Sequence, residues 1–248
     1  MIVAPNPGPM TLAGTNTYVV GRDPAHVIDP GPDDAGHLEA VRSEGEARGG
    51  IAGALLTHSH ADHSAAVEGL DAPLLWGAVS TADETSWLAP ETGARVERLP
   101  DGFEAIPTPG HAPDHTAFVF ADVCFCGDLV LGEGSSIVPP AAFGGSLGDY
   151  MESLRRVRSL DVELLAPGHG PLISDPKARI DEYLAHREER EARLVEALDG
   201  GERSRARLLD AVWDDVPEIL RPAAAMAMEA HLEKLEAEGR LLTGELGS

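Results

Sequence analysis

LLTHSHADHS, from Leu55 to Ser64, places His58, His60, Asp62 and His63 within six consecutive positions. The chain has ten histidines in all, and three of them stand here. The apolar run ahead of them, GIAGALL, reads as a buried strand, and AAVEGL behind them reads as a helix leading the chain away. Imidazoles and a carboxylate crowded at a strand end are a donor set for a metal; three solvated loop histidines are the bland alternative. If the strand stays extended briefly, His58 and His60 point the same way. The turn into the helix then redirects Asp62 and His63 toward a second point.

Residues further along decide between these readings. His111 in TPGHAPDH and His169 in APGHGP follow strands in turn contexts, and Asp128 sits at a strand end in CGDLV. Each has a glycine before it, which lets the chain turn sharply and leaves room for an ion. Strand-end loops are where a rigid scaffold brings ligands to a common point. Five histidines and two aspartates are too many for one catalytic zinc with a position open for water, and suit two. With Asp128 bridging, each ion has three terminal ligands, a shared oxygen and a shared water. A pair of ions about 3.5–4 Å apart lowers the pKa of that water and stabilises a developing oxyanion.

The 248 residues are 43% hydrophobic and 25% charged, enough for a sizeable core and inconsistent with disorder. Aromatic residues make up 4%, so that core is aliphatic. The opening MIVAPNPGPM lacks the basic and apolar regions of a signal peptide, and no segment reaches membrane-span length. A cytoplasmic location is the expectation. Cys124 and Cys126 in VCFCGD fall on one face of a strand, a poor disulfide geometry, and read as small buried residues. The formal charge of −23, with no Lys/Arg cluster, argues against nucleic-acid binding.

Strands and helices interleave through the first part of the chain, giving an α/β or α+β body. TNTYVV, AHVIDPG, APLLWG, RVERLP, FEAIPTPG and ELLA read as strands, and AFVFADVCFCGDLVLG as a hairpin turning near Ala121-Asp122. Residues 33–49 and 149–160 read as helices. The Gly-, Pro- and Ser-rich segment from Glu133 to Gly148 reads as a functional loop shaping an entrance. From Pro176 the texture changes to a long charged helix over 176–198, two more helical stretches and a short closing strand, RLLTGE. We place the catalytic domain at 1–175 and a helical, winged-helix-like domain at 176–248. From Gly200 onward six Lys or Arg face ten Asp or Glu, so this unit reads as a lid or dimerisation module, not a DNA reader.

HSHADH, followed in order by His111, Asp128 and His169, resembles the H-x-H-x-D-H motif and later ligands of the metallo-β-lactamase superfamily. The likeness covers nearly the whole chain. NPGPMTLAGTNTYVVG, TPGHAPDHTAF and HREERE look like the β-lactamase-like protein 2 branch, which carries a C-terminal winged-helix-like segment. The resemblance implies an αββα sandwich with two zinc ions at one edge of the sheets. His58, His60 and His111 would hold the first and Asp62, His63 and His169 the second, with Asp128 bridging; all seven positions are present. It implies hydrolysis by a metal-bridging hydroxide, with Asp62 also counted in the catalytic machinery. His115 would donate a proton to a leaving group or contact substrate, or else serve as a structural histidine. Asp29 in IDPG would orient a ligand histidine or form a turn, and Thr15, Asn16 and Thr17 near the mouth would support the ligands or face the substrate.

A fold does not choose a substrate. The charge and the missing basic groove favour a small ester, thioester or lactone. Metal-dependent cleavage of single-stranded RNA is the alternative, carried by the branch resemblance alone. A non-catalytic metal-binding protein is disfavoured because no ligand is missing. Nitrogen and oxygen donors accept zinc, iron or manganese, with zinc the first expectation. Oligomeric state is not set by the sequence.

Overall fold

β-Branched and aliphatic runs broken by turn residues become two sheets in the computed structural model, which describes residues 1–78 and 96–241. Among these residues the first sheet runs in the order β1 (Ile2–Val3), β2 (Asn16–Val20), β3 (Ala25–Ile28), β4 (Ile51–Leu55), β5 (Leu74–Gly77) and β6 (Val96–Glu97). The second orders β10 (Leu164–Pro167), β9 (Val123–Gly127), β8 (Thr116–Phe120) and β7 (Phe103–Pro107). β3, β4 and β5 pair in parallel, as do β9 and β10. The expected hairpin joins β8 to β9 in antiparallel register, with Ala121 at a φ of 51° in its turn.

The helices are α1 (Ala35–Ala47), α2 (Ala61–Ser64), α3 (Leu147–Arg158), α4 (Pro176–Asp199), α5 (Arg205–Val212) and α6 (Arg221–Ala237). Asp34 and Ser146 cap α1 and α3 by accepting backbone N–H bonds, and Asp175 caps α4 ahead of Pro176. One expectation fails in detail: Ala65–Leu70 forms a 3-10 turn, not an α-helix. The segment is short and stops at Asp71, held in the left-handed region, which leaves no second α-helical turn to propagate.

Three packed layers of side chains separate four layers of backbone. Val27, Leu38, Val41, Ala54 and Leu70 join α1 to the first sheet. Ile28, Leu55, Leu75, Phe118 and Phe125 fill the space between the sheets. Ile106, Cys126, Tyr150, Leu154 and Ile180 join the second sheet to α3 and α4. The result is an αββα sandwich. Cys124 and Cys126 are free and lie together in that last layer; burial pushes the Cys124 thiol up to about 12.

A fourth apolar cluster joins Leu194 and Leu198 of α4 to Leu208, Val212, Met228, Leu232 and Leu235 from α5 and α6. Because Ile180 and Tyr183 belong to the sandwich core, α4 is shared by both units. From position 242 the strand expected in RLLTGE lies outside the described residues.

Candidate metal centre

β4 ends at Leu55, and the chain beyond it turns into the single helical turn α2. This delivers His58 and His60 from the loop and Asp62 and His63 from the turn. His111 follows β7, Asp128 follows β9, and His169 follows β10. Two glycines make the approach possible. A Cβ on Gly110 would lie 2.4 Å from the Tyr150 backbone, and one on Gly168 would lie 2.3 Å from Asp128 Oδ1.

All seven predicted side chains meet in one cluster, and His60, Asp62, His111, Asp128 and His169 of it line a cleft. Ligand atoms of His58, His60 and His111 lie within 4.8 Å of one another, as do those of Asp62, His63 and His169, and those of His58, His63 and Asp128. His58 Nε2 and His111 Nε2 stand 2.9 and 3.1 Å from His60 Nδ1. Asp128 reaches both trios: Oδ1 is 3.5 Å from His63 Nε2, and Oδ2 is 3.4 Å from His169 Nε2 and 3.7 Å from His111 Nε2.

Other groups fix how the imidazoles face. His63 Nδ1 contacts Asp29 Oδ2 at 3.0 Å, His111 Nδ1 contacts the Ile137 carbonyl at 2.7 Å, and His58 Nδ1 contacts Thr57 Oγ1 at 3.0 Å. One nitrogen is anchored and the other turned inward, the arrangement metal-binding histidines use. Asp29 also accepts the Thr57 backbone N–H and hydroxyl, at 2.7 and 2.8 Å, so its carboxylate ties His63 to the start of the His58 loop. Thr15 donates its hydroxyl to Asp62 Oδ2 at 2.9 Å. Asn16 donates to the Pro167 and Gly170 carbonyls on either side of His169, and Thr17 to the Asp29 carbonyl.

His115 is buried with both nitrogens engaged. Nε2 accepts the Asp128 backbone N–H at 3.2 Å, which leaves Nδ1 as the proton-bearing atom facing Thr108 Oγ1 at 2.7 Å. Its side chain is not among those lining the cleft. Thr57, Thr108 and Ser136, whose hydroxyl donates to the Asp128 carbonyl, were not singled out in the sequence. Lone hydroxyl residues carry no spacing signal.

Burial drives His58 and His60 toward the neutral form, His60 to about 3, and pushes His115 down to about 3 as well. Burial opposes charge on His63 and His169 too, but the facing carboxylates outweigh it and lift His169 to about 10. Burial likewise opposes ionisation of Asp62 and Asp128, yet His63 and His169 hold both carboxyls below their usual range.

The donor set fits divalent metal ions. Five imidazole nitrogens and two carboxylates converge, and the buried His63 Nε2 and Asp128 Oδ1 find no hydrogen-bond partner among the described residues. The metallo-beta-lactamase superfamily model matches residues 10–74 and 74–169. The chain belongs to the metallo-beta-lactamase superfamily. A beta-lactamase associated winged helix domain matches residues 204–244. The chain is 31% identical to the beta-lactamase-like protein 2 homolog of Drosophila melanogaster, over 97% of its own length and 88% of that protein. Its fold is similar to the crystal structure of a metallo-beta-lactamase family protein from Thermus thermophilus, with a TM-score of 0.70 at 26% identity, covering 96% and 93% of the two chains. A protein solved in a di-iron-bound form matches with a TM-score of 0.51 at 28% identity, covering 70% of this chain and 94% of that one. As a member of this hydrolase superfamily, the chain is a metal-dependent hydrolase with a winged-helix unit at its C-terminal end. No described helix is long and apolar enough to cross a membrane.

Proposed function

We propose that the centre holds two divalent ions and hydrolyses a small ester, thioester or lactone. His58, His60 and His111 would hold one ion, Asp62, His63 and His169 the other, and Asp128 would serve both. Zinc is the first candidate, with iron or manganese accepted by the same donors. The observation that carries this reading is the position of Asp128, whose two oxygens approach nitrogens of both trios. When bound, such a pair supplies a water of lowered pKa and positive charge for a developing oxyanion.

The protein's own groups hold this machinery in place. Thr15 fixes Asp62, the half-buried carboxylate facing the cleft that we read as taking a proton from the attacking water. Asp29 keeps the His63 proton on Nδ1 and its lone pair inward. We read His115 as a positioning residue that holds the Asp128 backbone, because neither nitrogen is free to serve a leaving group. In the overall reaction water adds its oxygen to the carbonyl carbon. The carbon–oxygen or carbon–sulfur bond breaks, and the alcohol or thiol leaves with a proton. Residues 1–175 would carry the chemistry, and the C-terminal unit, through residues between His186 and Ala227, would wall the far side of the cleft.

The test is metal-loaded protein assayed on thioesters, lactones, β-lactams and single-stranded RNA, beside His60→Ala. Ester or thioester turnover lost in the variant is expected. RNA cleavage that persists at near-physiological salt and disappears in His60→Ala would overturn the small-substrate reading. A metal content well under one ion per chain would overturn the two-ion centre.

A further inference from the structure

The cleft that begins at the metal centre is much larger than hydrolysis of a carbonyl requires. Its volume is about 600 Å³, within the range of pockets that hold a whole small-molecule ligand. Five of the seven candidate ligands, His60, Asp62, His111, Asp128 and His169, line part of it. The rest of its wall comes from the C-terminal unit, where Trp213, Val216 and Leu220 contribute apolar surface beside Arg187 and Arg190. A concave apolar chamber with polar groups gathered at one end is the form of a ligand pocket.

Helix α6 shows why the space stays open. Its cleft side carries Ala223, Ala224 and Ala227, three methyl groups at positions that share one helical face. Met228, Leu232 and Leu235 of the same helix are buried, carry long side chains and pack in the cluster shared with α4 and α5. The cations of the lining are held by neighbouring groups. Arg190, which borders the cleft, is bound by both oxygens of Asp215 at 2.8 and 2.7 Å. Arg187 commits Nη2 to the Ser135 hydroxyl and the Ser136 carbonyl. An uncharged, extended apolar group suits such walls.

We infer that this arm of the cleft receives the acyl chain of an ester or thioester substrate, and that Ala224 and Ala227 set the longest chain accepted. The inference rests on the acyl-hydrolase reading above. The substrate would place its carbonyl at the metal centre and thread its chain between the N-terminal loop and α6.

Two measurements on metal-loaded protein test it. Calorimetry compares decanoate with butyrate, which share a carboxylate and differ only in chain length. Turnover is followed on acyl thioesters of four to twelve carbons. Each methylene housed in the arm should raise affinity and kcat/KM about fourfold until the arm is full. Decanoate should therefore bind at least 100-fold more tightly than butyrate. Ala224→Phe should cut that ratio tenfold or more and move the best substrate to a shorter chain. Leu220→Ser, at a half-buried position on a short turn, should reduce the ratio several-fold without filling the arm. Equal binding of the two acids, or a ratio unchanged in both variants, overturns the inference. A flat chain-length profile with brisk thioester turnover also overturns it while leaving the hydrolase reading intact. Tight decanoate binding with no turnover of any acyl compound overturns the hydrolase reading, and with it the substrate assignment made here.

Discussion

The two ends of the cleft are built on opposite principles. At the metal end specific polar atoms are held in specific places: imidazoles are anchored by Asp29, Thr57 and the Ile137 carbonyl, and the carboxylates face histidines. At the far end the walls include Trp213, Val216, Leu220 and three alanines of α6, with no fixed geometry demanded of any one. Reaction chemistry requires specific atoms at specific places, whereas accommodation of an apolar group requires only volume and carbon. One end therefore tolerates almost no change, and the other can be reshaped by evolution to fit a new substrate.

The sharpest way to break this contrast is Asp128→Ala. We expect metal content by elemental analysis to fall from about two ions per chain to one or fewer. Turnover should drop at least 10²–10³-fold, the scale for loss of one preorganised electrostatic group. Circular dichroism should change little, because the side chain faces the cleft and is not part of a core layer. Two ions and undiminished turnover in the variant would mean that the two trios do not depend on a shared carboxylate.

The contrast also explains what could be read from the sequence. HSHADH, His111, Asp128 and His169 were legible because metal chemistry admits few residue types, and glycine beside a strand end marks where they can gather. The sandwich was legible from strands interrupted by turns, with Ala121-Asp122 a correct turn position. AAVEGL misled because its composition does not separate a 3-10 turn from a helix. The supporting hydroxyls of Thr57, Thr108 and Ser136 were not legible, since each is common on any surface and acquires a role only through distant partners. The alanine face of α6 reads in the sequence as ordinary helix filler.

Asp29→Asn probes the metal end more gently. An amide nitrogen in place of Oδ2 would face the Thr57 hydroxyl and His63 Nδ1, neither of which could then keep its present bond. His63 would lose its orientation, and metal affinity should weaken about 10- to 100-fold in a chelator competition. Unchanged affinity would mean that the Asp29 contact follows from packing and does not tune the site.

Arg187→Met asks whether the two ends are coupled. Arg187 stands on α4, is almost fully buried, and ties the 135–136 loop to the C-terminal unit, with its guanidinium 5.4 Å from the Tyr150 ring centre. The same loop supplies the Ile137 carbonyl that anchors His111. Loss of these charged hydrogen bonds should cost about 2 kcal/mol in urea unfolding. Metal affinity should fall modestly in the same variant. A stability loss with unchanged metal affinity would show the ends to be independent.

The smallest expected effect tests the far unit alone, through acid. His231 on α6 is 1% exposed, with its ring 5.9 Å from that of Trp213. Neither of its ring nitrogens makes a hydrogen bond among the described residues. Burial pushes its pKa down to about 3, helped by Arg187, Lys234, His186 and Arg190, while the Glu191 carboxylate sits 4.0 Å from Nδ1. The unfolded chain would protonate this histidine near 6.5, so between about 6.5 and 3 it binds more protons than the folded one. The stabilisation is therefore present above pH 6.5 and lost as pH falls below it, by about 1–2 kcal/mol at pH 5. His231→Leu, close in volume and unable to titrate, should flatten the stability profile between pH 7 and pH 5 while leaving the metal centre untouched. An unaltered slope in the variant would shift the acid sensitivity to other groups of the chain.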